Sequence, residues 1–196
     1  MITSNELRAF EEDIKEEFLA GSIRAPIHLS GGNEEQLISI FRDVIPNDWV
    51  FSTHRSHYHA LLKGVPPELV KHEIMAGRSM HLNFKEYKFF TSSIVAGCCP
   101  IAVGVAMAIK RRGGNEKVWV FVGDMAAKAG IFRESCEYAG RNTLPITFVV
   151  EDNEFSTNTP TDKAWGDYRW YYNMDTGYTY KRIYPHINAG KWVDFK

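Results

Sequence analysis

Near the start of the chain Leu7, Phe10, Ile14 and Phe18 recur at helical spacing, Asn5 stands where a cap belongs and Gly21 closes the pattern. This predicts an amphipathic helix packed on the outside of the core. A polar turn around Gly31 and Gly32 leads through Asn33 into a second helix carrying Leu37, Ile40, Phe41 and Val44. A third helix, PPELVKHEIMAG, opens with proline, whose missing N–H costs nothing in a first turn, and stops at Gly77. The following RSMHLNFKEYKFFTS shows no period and is expected to be a functional or mobile loop. PIAVGVAMAIKRRGG, small-residued and ended by glycine, reads as a helix buried against a sheet. VWVFV and PITFVVE are continuous apolar runs of strands buried on both faces, and IFRESCEYAGRN between them is helical. Strand, helix, strand implies a parallel pair, so the fold class is α/β, a parallel sheet with helices on both faces.

The length of 196 residues is enough for one sizeable core. Residues 1–160 form the expected domain, and 161–196, dense in Trp and Tyr, form a tail with little period. That tail is either an interaction surface or a strap wrapping its own domain. A formal net charge of -1 gives no long-range attraction to nucleic acid or an anionic membrane. The acidic N-terminus carries no apolar signal core and no run is long enough to span a bilayer, so a cytoplasmic protein is expected. Cys98, Cys99 and Cys136 suit neither a disulfide framework nor a metal knuckle and are expected to be reduced thiols.

Two carboxyl-bearing strand ends carry the candidate chemistry. VWVFV runs into Gly123 and Asp124, and ITFVV runs into Glu151, Asp152 and Asn153. In parallel α/β sheets, ligands collect beyond the carboxyl ends of the strands. Gly123 permits close approach of a phosphate, and the amides near Met125 and Ala126 face the same region. Asp124 alone would repel a diphosphate, so a cation belongs between them, and Asp, Asn, carbonyl and phosphate oxygens form the hard set that Mg²⁺ or Ca²⁺ prefers. His54, His57 and His59 are also close in sequence, but no Cys or carboxylate accompanies them at zinc-ligand spacing. Neither GxGxxG nor GxxxxGK[ST] is present, which weakens a nucleotide-binding reading.

GDM followed by EDN, with Asp124 and Asn153 separated by 29 positions, resembles the thiamine diphosphate motif, GDG followed by NN. The likeness extends over residues 28–160 to the alpha subunit of the pyruvate dehydrogenase type of 2-oxo acid dehydrogenase, first component. HLSGGNEEQ is similar to that family's HLxxGQEA, THRSHYHALLKG to YRxHGxxLxxG, and GRSMHL to the GSMH before its mobile loop. SIVAGCCPIAVGVAMA is similar to GIVGAQxPxAxGxAxA, and GIFRESCEYAGRNTLP to GxFxEAxNxAAxxxLP. The resemblance implies a thiamine diphosphate-binding domain in which Asp124, Asn153 and the carbonyl of Phe155 ligate Mg²⁺. His54 and Arg55 then meet the diphosphate, and an arginine fork suits phosphate oxygens. The backbone at Ser93 and Val95 meets the aminopyrimidine, and His28 and His57 line the reaction site.

The resemblance further implies a partner: a beta-type subunit carrying the pyrimidine-binding domain and the activating Glu, in a heterotetramer acting on a small 2-oxo acid. The chain departs from the pattern at four places. Met125 replaces a glycine, Asp152 an asparagine and His54 a tyrosine, and the aromatic tail stands where the family carries a phosphate-side histidine. His186 is the one tail histidine, and the shortened chain is expected to be a specialised relative. The competing expectation is a noncatalytic relative that uses the fold as an assembly module through its tail.

Overall fold

The computed structural model describes residues 2–166 and 177–184. The α-helices and strands run in the order α1 (Ser4–Leu19), α2 (Glu34–Phe41), β1 (Trp49–Ser52), α3 (His57–Leu62), α4 (Pro67–Met75), β2 (Asn83–Phe84), β3 (Phe89–Thr91), α5 (Cys98–Arg111), β4 (Val118–Gly123) and α6 (Gly130–Arg141). Then come β5 (Ile146–Asp152), the small hairpin β6 (Phe155–Ser156) and β7 (Thr159–Pro160), α7 (Thr161–Trp165) and β8 (Gly177–Thr179). The main sheet has the order β2-β3-β1-β4-β5-β8, parallel throughout except for β2.

The strand side chains explain why both faces are covered. Trp119, Phe121 and Val149 pack with Leu7, Ile14, Leu37, Tyr58 and Ile74 from α1 to α4. Val118, Val120, Val122 and Phe148 pack with Ala102, Ala106 and Phe132 from α5 and α6. Alternate residues of one strand thus feed opposite cores, which is what an uninterrupted apolar run such as VWVFV permits. The α/β class and the parallel β4–β5 pair follow the sequence reading, with Val118 opposite Ile146 and Gly123 opposite Glu151.

Several elements differ from expectation. The cap of α1 is Thr3, which makes a reciprocal capping box with Glu6, so the capping residue is not Asn5. As expected of an amphipathic helix packed on the core, α1 buries Leu7 and Ile14 completely and leaves its other face in solvent. Asn33 precedes α2 but makes no capping bond; its NH₂ group donates to Glu151 and Tyr178 instead. The stretch expected to be a loop, RSMHLNFKEYKFFTS, contains β2 and β3, and β3 pairs in parallel with β1 through Phe89, Phe90 and Thr91. A three-residue strand is too short to register a period.

The C-terminal aromatic stretch is represented by residues up to Trp165 and by 177–184. Here β8 adds to β5, with Tyr178 opposite Glu151. Beyond it the Ile183 N–H donates to the Gly31 carbonyl at 3.1 Å, and Tyr184 donates to Glu12 at 3.1 Å. Gly32 has φ 97°, and a Cβ on it would collide with the Lys181 carbonyl. The double-glycine turn is therefore the seat on which this segment rests. His186, Tyr172 and Trp192 lie outside the described residues.

Candidate functional site at the strand carboxyl ends

The chain leaves β1 for β3 on one side and returns through α5 to β4 on the other, so β1 and β4 flank a topological switch point. The loops after them part there and leave a cleft, the position at which open α/β sheets bind ligands. The cleft encloses about 120 Å³. The loop after β1 brings His54 and Arg55 to it, and the segment before α5 brings Ser93 and Val95. The β4 turn contributes Gly123, Asp124, Met125 and Ala126, and the chain after β5 contributes Asn153 and Phe155.

The register brings the two strand ends to one edge of the cleft. Gly123 is the last residue of β4 to pair with β5, opposite Glu151, so Asp124 and Asp152 emerge at the same edge with Asn153 next. Asp124 is 1% exposed, and its carboxyl is pushed up to about 6 by burial. A hydrogen bond donated by Thr161 opposes that shift and the nearby Asp152 carboxylate adds to it. The Asn153 amide is held at both ends: Oδ1 accepts from the Phe155 N–H at 3.0 Å, and Nδ2 donates to the Tyr180 hydroxyl at 3.1 Å. Asp152 Oδ1 accepts from the Glu154 N–H at 2.9 Å, which tightens the turn, and Glu154 takes a left-handed φ of 64°.

Two basic groups, Arg55 and Lys128, stand in the same region. Arg55 donates to the Leu29 carbonyl, and burial presses its guanidinium downward against the opposing pull of Tyr180, Glu11 and Glu151. An arginine still stays charged. Lys128 is 4% exposed and lies within the field of both Asp152 and Asp124, while burial lowers its ammonium. It offsets the negative charge that Asp152 adds at the strand edge. Nothing in the apolar spacing of AAKAGIF marks it, because the three-residue turn of 3₁₀ helix that places it, Ala126–Lys128, leaves no period.

The histidines separate. The His28 ring stands edge-on to His54 at 4.4 Å between centroids, so it backs the cleft wall. His57 is fully buried, shares a 2.8 Å hydrogen bond with Ser79 and lies 3.5 Å from the Glu11 carboxylate. It opens the first turn of α3 and points under α1, where Phe10 meets its ring, so it does not line the cleft. His59 Nε2 donates to Glu151 at 3.2 Å while Nδ1 meets Ser52 at 2.9 Å. With three destinations these histidines make no shared metal site, and among the described residues no group of three or more His, Cys, Asp or Glu is gathered to hold an ion. Any cation in the cleft would rest on two side-chain oxygens plus carbonyl and ligand oxygens.

Met125 changes the glycine of the motif without straining the turn. Its backbone is ordinary right-handed helical, φ -68° and ψ -37°, a conformation open to any residue. Its sulfur accepts from the Trp165 indole N–H at 3.0 Å.

The fold and cleft define a doubly wound α/β domain with its ligand face at the switch between β1 and β4. The family described as "Dehydrogenase E1 component" matches residues 3–179, and the chain belongs to that family. Similar proteins include the alpha subunit of acetoin:2,6-dichlorophenolindophenol oxidoreductase from Cupriavidus necator, 33% identical over 80% of this chain and 50% of that one. The pyruvate dehydrogenase E1 component subunit alpha of Rickettsia prowazekii is 32% identical over 81% of this chain and 52% of its own. The chain thus spans about half the length of the curated relatives it matches. A solved structure from Mycobacterium smegmatis, described as a "putative thiamin diphosphate-dependent enzyme", overlaps 69% of this chain and 24% of its own at a TM-score of 0.46 and 20% identity. That overlap is loose and adds nothing to the family assignment. Cys98, Cys99 and Cys136 are free thiols, and no helix among the described residues is long and apolar enough to cross a membrane.

Proposed function

We propose that this chain is the diphosphate- and magnesium-binding alpha-type part of a heteromeric thiamine diphosphate enzyme acting on a 2-oxo acid or ketose-like donor, by decarboxylation or by acyl or two-carbon transfer. One observation carries the reading: the residues that the motif nominates for cofactor and metal, from four separate stretches of sequence, line a single cleft. The donor set fits. Asp124 and Asn153 offer hard oxygens beside the Phe155 backbone, and Arg55 offers a fork for phosphate oxygens. The helical backbone at Met125 leaves the β4 turn able to carry a side chain.

Bound thiamine diphosphate would supply a carbanion-stabilising centre that protein side chains lack. The chain's own residues do the rest. Asp124, Asn153 and the Phe155 carbonyl would hold the cation, and its charge would offset the repulsion between Asp124 and a diphosphate. Arg55 and His54 would hold the phosphate end and the backbone at Ser93 and Val95 would meet the ring end, all four residues lining the cleft, while His28 backs His54 at its wall. The apolar rim, with Ile94 at 73% and Val95 at 65% exposure, suits closure by a partner subunit that brings the activating carboxylate and excludes water. The expected assembly is a heterotetramer with a beta-type subunit.

The test is calorimetric titration of the chain, alone and mixed with a pyrimidine-domain partner, using thiamine diphosphate with and without Mg²⁺. Saturable uptake that needs the metal and tightens with the partner is the expected result. No metal-dependent uptake in either sample would leave the chain a noncatalytic member of its family.

A further inference from the structure

A third basic group reaches the cleft from the segment that follows β8. Tyr178 and Tyr180, two positions apart, set their rings 5.8 Å from each other, and Arg182 is the next residue of that alternation. Arg182 Nη2 donates to the carbonyl of Thr157 at 3.0 Å, and Thr157 lines the cleft. Its Nη1 is buried and meets no acceptor among the described residues. The backbone is fastened on either side of it: the Tyr180 N–H donates to the Asp152 carbonyl at 2.9 Å and the Ile183 N–H to the Gly31 carbonyl at 3.1 Å. Arg182 is therefore held at the cleft margin.

Two guanidinium groups then share one neighbourhood. Burial first, and then the charge of Arg55, press the Arg182 guanidinium downward, while Tyr180 and Asp124 pull it up. Burial pushes the Tyr180 hydroxyl up to about 12 against the opposing charges of Arg55 and Arg182, so both arginines stand within reach of one ring that lines the cleft. Neither arginine forms an ion pair with a carboxylate among the described residues. Like charges repel most where water is scarce, and an N–H shielded from water without an acceptor adds its own cost. An oxyanion with several acceptor oxygens, placed between the two forks, relieves both. Asp124 lies in the same field, so a divalent ion held by its carboxylate would stand beside that anion, as it does when a cation bridges protein and phosphate oxygens.

We propose that Arg182 is a second phosphoryl-binding residue of the cleft, closing with Arg55 on the oxygens of a pyrophosphoryl group. The inference rests on the diphosphate part of the proposed function and deepens it. His54 and Arg55 both come from the loop after β1, whereas Arg182 follows the edge strand β8, on the far side of β4 and β5. The phosphoryl end is then gripped from both sides of the strands that carry Asp124 and Asn153.

The probe is inorganic pyrophosphate with Mg²⁺, titrated calorimetrically into the chain mixed with its pyrimidine-domain partner, with thiamine diphosphate titrated in parallel. Arg182→Gln keeps a donor for the Thr157 carbonyl and removes the charge and the fork. It should weaken the binding of both ligands by roughly tenfold or more, the size expected for a charge-assisted hydrogen bond, and Arg182→Lys should recover part of the loss. The thermal midpoint of the ligand-free chain should stay close to wild type, because no carboxylate loses a partner.

Unchanged affinity in Arg182→Gln, or a weakening confined to thiamine diphosphate, would overturn the inference and leave the proposed function standing. A wild-type mixture that takes up pyrophosphate but no thiamine diphosphate would keep the inference and reject the thiamine reading, and one that takes up neither would reject both. If Arg182→Gln does not fold, the wild-type chain still decides by NMR: the Arg182 Nε–H signal, assigned through the backbone, should move as pyrophosphate is added, and an unmoved signal would overturn the proposal.

Discussion

At the scale of single residues, Asp124 sets the pH behaviour of the cleft. Its carboxyl stands at about 6 against an ordinary 3.8, raised first by burial. A raised value means that the ionised group is disfavoured in the folded chain. Its contribution to stability is complete below 3.8 and is lost as pH rises through about 6. The shift corresponds to roughly 3 kcal/mol at most, taking about 1.4 kcal/mol per unit. Asp124→Asn should therefore stabilise the metal-free chain by about 1–3 kcal/mol at pH 7.5 and by much less near pH 4, as read by urea denaturation at both values. A cation reverses the preference by favouring the carboxylate. Mg²⁺ affinity should then weaken by roughly tenfold for each pH unit below about 6, with a proton released on binding, which calorimetry in buffers of different ionisation enthalpy would detect.

At the scale of elements, the long apolar strands and the glycine-terminated helices were legible because their periods are long enough to read. The strand ends were legible for a different reason: Asp124 and Asn153 interrupt apolar runs at the points where a parallel sheet delivers its ligands. The short β3 was hidden by its length. Lys128 and Tyr180 were hidden because their partners are distant in sequence, and no local pattern records a contact that the fold makes. His57 shows the opposite failure, a motif residue whose helix turns it into the core beside Glu11 and Ser79. The double-glycine turn supplies an element-level test. Gly32→Ala would meet a left-handed φ of 97° and the Lys181 carbonyl together, and it should cost about 2 kcal/mol or more in denaturant titration by unseating residues 181–184.

At the scale of the whole molecule, the apolar rim of the cleft looks outward. Ile94 is 73% exposed next to Val95 at 65%, and neither supports the core. Ile94→Glu should leave the midpoint of thermal unfolding within about 2 °C of wild type, because surface changes are usually within about 0.5 kcal/mol. The same change should abolish co-elution with a pyrimidine-domain partner on size-exclusion chromatography, since a charge at a desolvated interface core is strongly penalised.

The contact between Tyr184 and Glu12 spans a sequence separation of 172. Together with the Ile183–Gly31 bond it fastens the opening helix to some of the last residues described. During synthesis on the ribosome, α1 must therefore wait until Tyr184 has been made before this fastening can form. Forming it is slowed by the loop-closure entropy that distant pairings carry. Nascent chains arrested before residue 178 would present β5 with a bare edge, the kind of surface that chaperones shield.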